Sequence, residues 1–218
     1  MTSSDLLDPP LRERVRRRLA SWLEAHLRAV LGPLFALGEG APAGAARGLA
    51  FALAEGLGAV PRRTVARQVA ALTPSERREL SRLGVTTGRL AVFLPALLRP
   101  DAMRLRARLF SIREGRAAEA GPDGPPSVPR DPQRPAAFYL ACGYLPAGPR
   151  AVRLDRMERA AAVASRLSRA GPFVPPRDLA PILGCRPEDV PAVLTAVGYV
   201  ECDGRFERRA RRRPGVRS

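Results

Sequence analysis

Residues 116–135 read RAAEAGPDGPPSVPRDPQRP, six prolines and two glycines in twenty positions, with Val128 the only large apolar side chain among them. A stretch like this offers little to bury, and its prolines lack the N–H that a helix interior needs. It reads as a Pro/Gly-rich linker. The linker divides the chain into a helical domain (1–115), a second module (136–207) and a basic, disordered tail (208–218). With 218 residues and 45% hydrophobic content, the two parts have enough apolar side chain to bury real cores.

The first part has helical spacing. Leu11, Val15, Leu19, Trp22, Leu23, Leu27, Val30, Leu31 and Leu34 mark a long amphipathic helix entered through Pro9-Pro10 and interrupted at Gly32-Pro33. His26 lies beside that stripe as a packed or surface imidazole. The glycine-rich GEGAPAGAARG misses a dinucleotide-type spacing and reads as a connector into a helix over 43–57. A further helix covers 63–72. Thr73-Pro74-Ser75-Glu76 is a capping box, with Thr73 as cap, Pro74 at the first helical position and Glu76 reaching back. Its helix stops at Gly84. The β-branched run from Val85 to Phe93 suggests a strand or tight extended turn around Gly88. Pro95 opens a short helical turn, and Pro100-Asp101 starts a helix predicted to turn Met103, Leu105, Leu109 and Ile112 inward.

Charge is the second constraint. The chain carries 37 basic and 21 acidic residues, a net charge of +16, and every basic residue is arginine. Codon bias in a GC-rich genome trades lysine for arginine but leaves net charge unchanged, so the excess still points to a polyanionic partner. The absence of lysine excludes a Walker-type phosphate loop and Schiff-base catalysis. Cys142, Cys185 and Cys202 with a single histidine are too few and wrongly spaced for a structural zinc site. Reduced thiols, and no apolar signal core near the N-terminus, lead us to expect a cytoplasmic protein. LAVFLPALL is too short to span a bilayer, so no membrane partner is expected.

In the last third, PAAFYLACGYL is a short helix with aromatic anchors. Asp155 and Glu158 sit where a helix to about Arg169 begins and read as capping groups. Short helices follow over 177–183, closed by Gly184, and over 187–197. Asp203-Gly204 between Tyr199-Val200 and Phe206 is a two-residue hairpin signal. Three helices and a hairpin make a winged-helix-like order. The fold class is therefore mainly α: a helical N-terminal domain followed by a winged-helix-like C-terminal module with a short β-hairpin. The helix in the recognition position offers Glu188, Asp189 and Thr195, which argues against reading bases in the major groove.

LGVTTGRLAVFLPALLRPDAMRLRARLFSIREG, together with RVRRRLASWLEAHLRAVLGPLFAL upstream and FYLACGY, GPFVPPRDLAPILGC and VLTAVGY downstream, resembles the C-terminal post-motor region of bacterial Suv-three-like DExH RNA helicases, the mitochondrial degradosome type. The resemblance runs from about Leu11 to Tyr199, and VFLPALLRPDA is its most specific string. It implies a helicase-accessory role without an ATPase motor in this chain, since neither the GKT loop nor the DExH box is present. Thr86-Thr87 stand where a more basic or aromatic pair is expected.

We therefore expect a non-enzymatic, cofactor-free nucleic-acid-binding protein with sequence-tolerant grip on the phosphate backbone. Its candidate contacts are Arg89, Arg177, Arg186, Arg205, Arg208, Arg209, Arg211, Arg212 and Arg213. The partners expected are RNA or DNA, RNA ahead of DNA, and a helicase motor. The rival reading is a protein–protein adaptor that docks a separately encoded or missing motor.

Overall fold

The computed structural model describes residues 8–41 and 43–209. Helix α1 spans Pro9–Gly40, α2 Ala45–Glu55, α3 Ala66–Ala71, α4 Pro74–Arg82 and α5 Pro100–Arg113. Among them lie strands β1 (Ala59–Pro61), β2 (Thr86–Thr87) and β3 (Ala91–Phe93), and a 3-10 turn at Pro95–Leu97. After α5 come β4 (Ser127–Pro129), α6 (Ala136–Ala141), β5 (Tyr144–Ala147), β6 (Arg150–Arg153), α7 (Leu154–Leu167), α8 (Leu179–Leu183), a 3-10 turn at Pro187–Asp189, α9 (Val190–Ala196), β7 (Tyr199–Cys202) and β8 (Arg205–Arg208). The fold is mainly α with small antiparallel sheets, ordered β1-β3-β2, β4-β6-β5 and β7-β8. No helix among the described residues is long and apolar enough to cross a membrane.

Several local signals have the outcome their chemistry demands. At α4 the Glu76 amide donates to Thr73 Oγ1 at 3.2 Å, and the Thr73 amide donates to Glu76 Oε2 at 2.7 Å. Gly84 then takes a positive φ of 82° and ends the helix. Asp203 and Gly204, both at positive φ, turn β7 into β8. The interruption of α1 at Gly32-Pro33 takes the form of a kink, where Leu31 leaves helical geometry at φ −109° and ψ 21° before the helix resumes to Gly40. Proline has no N–H for the carbonyl four residues back. Arg99 Nη2 reaches into that gap, donating to Ala29 O at 3.2 Å and Val30 O at 2.7 Å.

Three readings are corrected. The segment 116–135, read as a linker, contains β4, which pairs with β6 through Ser127↔Val152 and Val128↔Ala151. Around it, Tyr144 Oη donates to Pro125 O, Ser127 Oγ donates to Gly184 O, and Gly121 packs closely against Cys142 and Ala107. Of its six prolines only Pro129 lies in β4, which sits at a sheet edge where a missing N–H is tolerated. The basic tail was drawn from residue 208, yet Arg208 ends β8 opposite Tyr199, and the Arg209 amide donates to Gly198 O.

The third correction concerns α5. Its buried side chains are Ala102, Met103, Arg106, Ala107, Phe110 and Ser111, while Ile112 is exposed. The helix is covered on two sides. Leu105 and Leu109 lean on the N-terminal core of Leu37, Leu49, Leu53 and Leu97, whereas Met103, Ala107 and Phe110 join Phe138, Tyr139 and Tyr144. Arg106 lies between them, its guanidinium donating to Leu97 O at 3.0 Å and Leu140 O at 3.2 Å. Burial pulls its pKa down to about 10, so the charge persists at neutral pH. Its Nε has no hydrogen-bond partner among the described residues. Beside it, burial pushes the Cys142 thiol up to about 12.

A third core of Met157, Leu179, Leu183, Val193, Leu194 and Phe206 lies under α7, α8, α9 and the hairpin. Phe173 and Phe206 exchange backbone hydrogen bonds at 3.0 and 2.7 Å, tying the segment after α7 onto β8.

Candidate nucleic-acid interface

Besides the packing of α5 against α6, one carboxylate clips the N-terminal part to the C-terminal module. Glu158 on α7 accepts from three consecutive amides of the β2–β3 turn: Arg89 N at 2.6 Å, Leu90 N at 2.8 Å and Ala91 N at 2.9 Å. The turn can approach so closely because position 88 is glycine; a Cβ there would collide with the Glu158 carboxylate. Capping is thus not what Asp155 and Glu158 do. The cap position of α7 is Arg153, without a side-chain cap, and Asp155 accepts a two-pronged hydrogen bond from the Arg153 guanidinium at 2.7 and 2.9 Å.

Where the two parts meet, a cleft of about 750 Å³ opens. Its rim carries Arg62, Arg63, Arg77, Arg89 and Arg130, and its floor includes Leu90, Leu140 and Leu145, with Val197 and Gly198 from the end of α9. Among the described residues no carboxylate lines it. Three of these guanidiniums are held by neutral acceptors. Arg62 Nη1 donates to Gly88 O at 2.7 Å, Arg77 Nη2 to Val69 O at 2.7 Å, and Arg89 Nη1 to Ser165 Oγ at 3.1 Å. None of the five forms an ion pair among the described residues, whereas much of the arginine elsewhere does: Arg16 and Arg17 with Glu13, Arg104 with Asp123, Arg153 with Asp155. A guanidinium has five donors. Anchoring through one or two of them fixes its place and leaves the rest, and the whole charge, facing the cleft.

Of the residues singled out in the sequence, Arg89 lines this cleft. A small adjoining recess brings Arg208 to the same place, with Arg89, Ser165, Gly198 and Tyr199. Arg205 and Arg209 are exposed on and just after the β7–β8 hairpin. Arg177 and Arg186 are exposed but do not line the cleft, and Arg186 pairs with Glu188 at 3.6 Å. Arg211, Arg212 and Arg213 lie outside the described residues. Sequence reasoning missed Arg62, Arg63, Arg77 and Arg130. Only the Arg62-Arg63 pair after Pro61 left a local trace, since the cleft gathers residues far apart in the chain.

Helix α9, with the 3-10 turn before it, presents few groups able to read bases. Asp189 at its start faces Arg150 at 3.9 Å, and Thr195 Oγ1 donates to its own helix at Pro191 O. Among the described residues no group of three or more His, Cys, Asp or Glu side chains is placed to hold a metal ion. Searches against family models, curated proteins and solved structures find no match to this chain.

Proposed function

We propose that this chain is a non-catalytic nucleic-acid-binding protein of helicase-accessory type, with a winged-helix-like C-terminal module, acting in the cytoplasm. It grips phosphate backbone and tolerates sequence. The observation that carries this reading is the cleft rim of Arg62, Arg63, Arg77, Arg89 and Arg130, charged, free of ion pairs among the described residues and opposed by no carboxylate. Unpaired guanidiniums around a concave surface favour a polyanion, and each phosphate they neutralise releases counterions. Arg208, beside Arg89, extends that positive surface toward the wing. The sequence resemblance favours RNA over DNA and a helicase motor as partner.

Fluorescence anisotropy with labelled single strands and duplexes of RNA and DNA, across roughly 50 to 200 mM salt, tests the proposal. Binding should weaken steeply with salt, and should differ little between strands of different sequence. Reversing Arg63 and Arg130, both exposed (Arg63→Glu with Arg130→Glu), should lower affinity at least about tenfold and make the salt slope shallower by about one per arginine. An unchanged slope in that variant, or no binding at the lowest salt, overturns the reading.

A further inference from the structure

The outer half of α1 carries apolar side chains that no other described part of the chain covers. Leu11 is 43% exposed, Val15 40%, Leu19 60%, Trp22 62% and Leu23 48%. Helical spacing puts them in one stripe. Val15 and Trp22 are seven residues apart, as are Leu19 and His26, and the two columns interleave at three and four residues. The Trp22 and His26 rings stack within the stripe, with centroids 5.3 Å apart and planes 8° from parallel. Arg14 and Arg18 border one edge and Arg16 the other. Leu11, Arg14, Val15, Arg18 and Leu19 together line a shallow groove on this face.

The helix has almost no acid of its own to spare. Glu13 already holds Arg16 at 2.8 Å and Arg17 at 3.1 Å, and Glu24 holds Arg28 at 3.4 Å. Arg14 and Arg18 make no ion pair among the described residues.

We infer that this face docks an amphipathic helix of another protein, one whose apolar seam is bordered by Glu or Asp. A second copy meeting this one through the same face brings the same arginines, and its Glu13 and Glu24 are already engaged, so that face supplies no free acid for Arg14 and Arg18. A bilayer is the poorer match, because the column Arg12–Leu19–His26 puts two polar side chains into the seam. Hydrocarbon rejects polar groups of this kind, whereas the seam of a partner helix tolerates them. The face shares no residue with the arginine cleft, so the two readings stand or fall separately.

Trp22 is the only tryptophan in the chain, and its emission reports on this stripe directly. The probe is a designed peptide of about 21 residues, three heptads with leucine at the seam and glutamate along both edges. It should shift Trp22 emission to the blue and saturate. A twin with the same seam and lysine edges should not. Leu19→Asp should abolish the shift, and Arg14→Glu with Arg18→Glu should weaken binding about tenfold, the equivalent of a few lost charge pairs. Both variants alter exposed side chains, and unchanged circular dichroism shows that loss of binding is not loss of fold. No shift with the glutamate peptide, or an equal shift with its lysine twin, overturns the inference. So does a shift with phosphatidylglycerol vesicles in place of the peptide, or a concentration-dependent shift that sediments as a dimer.

Discussion

Helix α5 and the outer half of α1 are written in nearly the same alphabet, leucine and arginine alternating at helical spacing, yet they end in opposite environments. In α5 an arginine, Arg106, is 1% exposed while Ile112 is 63% exposed. In α1 the leucines are exposed, and the arginines beside them pair with a neighbouring glutamate or face solvent. The difference lies in what surrounds each helix. Two cores close on α5 from different sides, and the carbonyls of Leu97 and Leu140 are oriented to accept the guanidinium between them. Nothing described closes on the outer half of α1. Periodicity says that a helix has faces; only the neighbours decide which face is inside.

The sharpest way to break this contrast is at Arg106. Arg106→Ala removes a large buried side chain and leaves two carbonyls without their donors. We expect a loss of about 4 kcal/mol, a fall in Tm on the order of 10 °C in a chain this size. Arg104→Ala and Arg108→Ala, on the exposed side of the same helix, should stay within about 0.5 kcal/mol of the parent. Arg106→Met separates packing from hydrogen bonding, since it refills the volume without donors and should recover part of the loss. Thermal unfolding of the four variants decides it. If Arg106→Ala melts like Arg108→Ala, the guanidinium is not the buried strut described here.

The next effect belongs to Glu158. Glu158→Ala strips the acceptor from three amides of the β2–β3 turn at once, and hydrogen bonds to a charged group are worth more than neutral ones. Urea unfolding should show a loss of about 2–3 kcal/mol. Because the same turn presents Arg89 to the cleft, nucleic-acid affinity should fall as well. Gly88→Ala should mimic both losses, since its Cβ would displace the carboxylate. Unaltered stability in Glu158→Ala would mean that the two parts hold together without the clip.

How much of this was readable beforehand follows from range. The capping box at Thr73, the helix stop at Gly84 and the Asp203-Gly204 turn are contacts within a few residues, and the chain spells them out. Strands β4, β5 and β6 are three or four residues each, two with a proline inside them, and too short to show alternation against their flanks. Glu158 looked like a helix-start acid because its partners are nearly seventy residues away. The cleft is less legible still: Arg62, Arg77, Arg89 and Arg130 come from four separate stretches, and among 37 basic residues none is marked out by composition.

A smaller effect should appear in acid. Partial burial pushes the Asp155 carboxyl up, but its hydrogen bonds and charge pairing with Arg153 outweigh this and leave it below the ordinary aspartate range. A carboxyl depressed in the folded state adds stability above its unfolded pKa, and that stability disappears as pH falls through the folded value. Parent protein should therefore lose part of its stability below about pH 4, and Asp155→Asn should show a flatter acid limb. A limb of the same steepness in the variant would assign the loss to other carboxyls.

The smallest change is expected where the comparison began. Leu19→Gln and Leu23→Gln, singly or together, should leave stability within about 0.5 kcal/mol of the parent, because these side chains are already largely in water. The matching change at a covered leucine, Leu37→Gln, takes a side chain with no exposed surface and puts an amide among Leu49 and Leu53, at a cost of several kcal/mol. The gap between these variants measures how far α1 extends beyond its own core. If Leu19→Gln costs as much as Leu37→Gln, the outer half of α1 is packed in solution by something within the chain, and its apolar stripe is no docking face. If the exposed pair is neutral, the apolar stripe adds nothing measurable to the stability of the chain's own fold, as a face kept for docking requires.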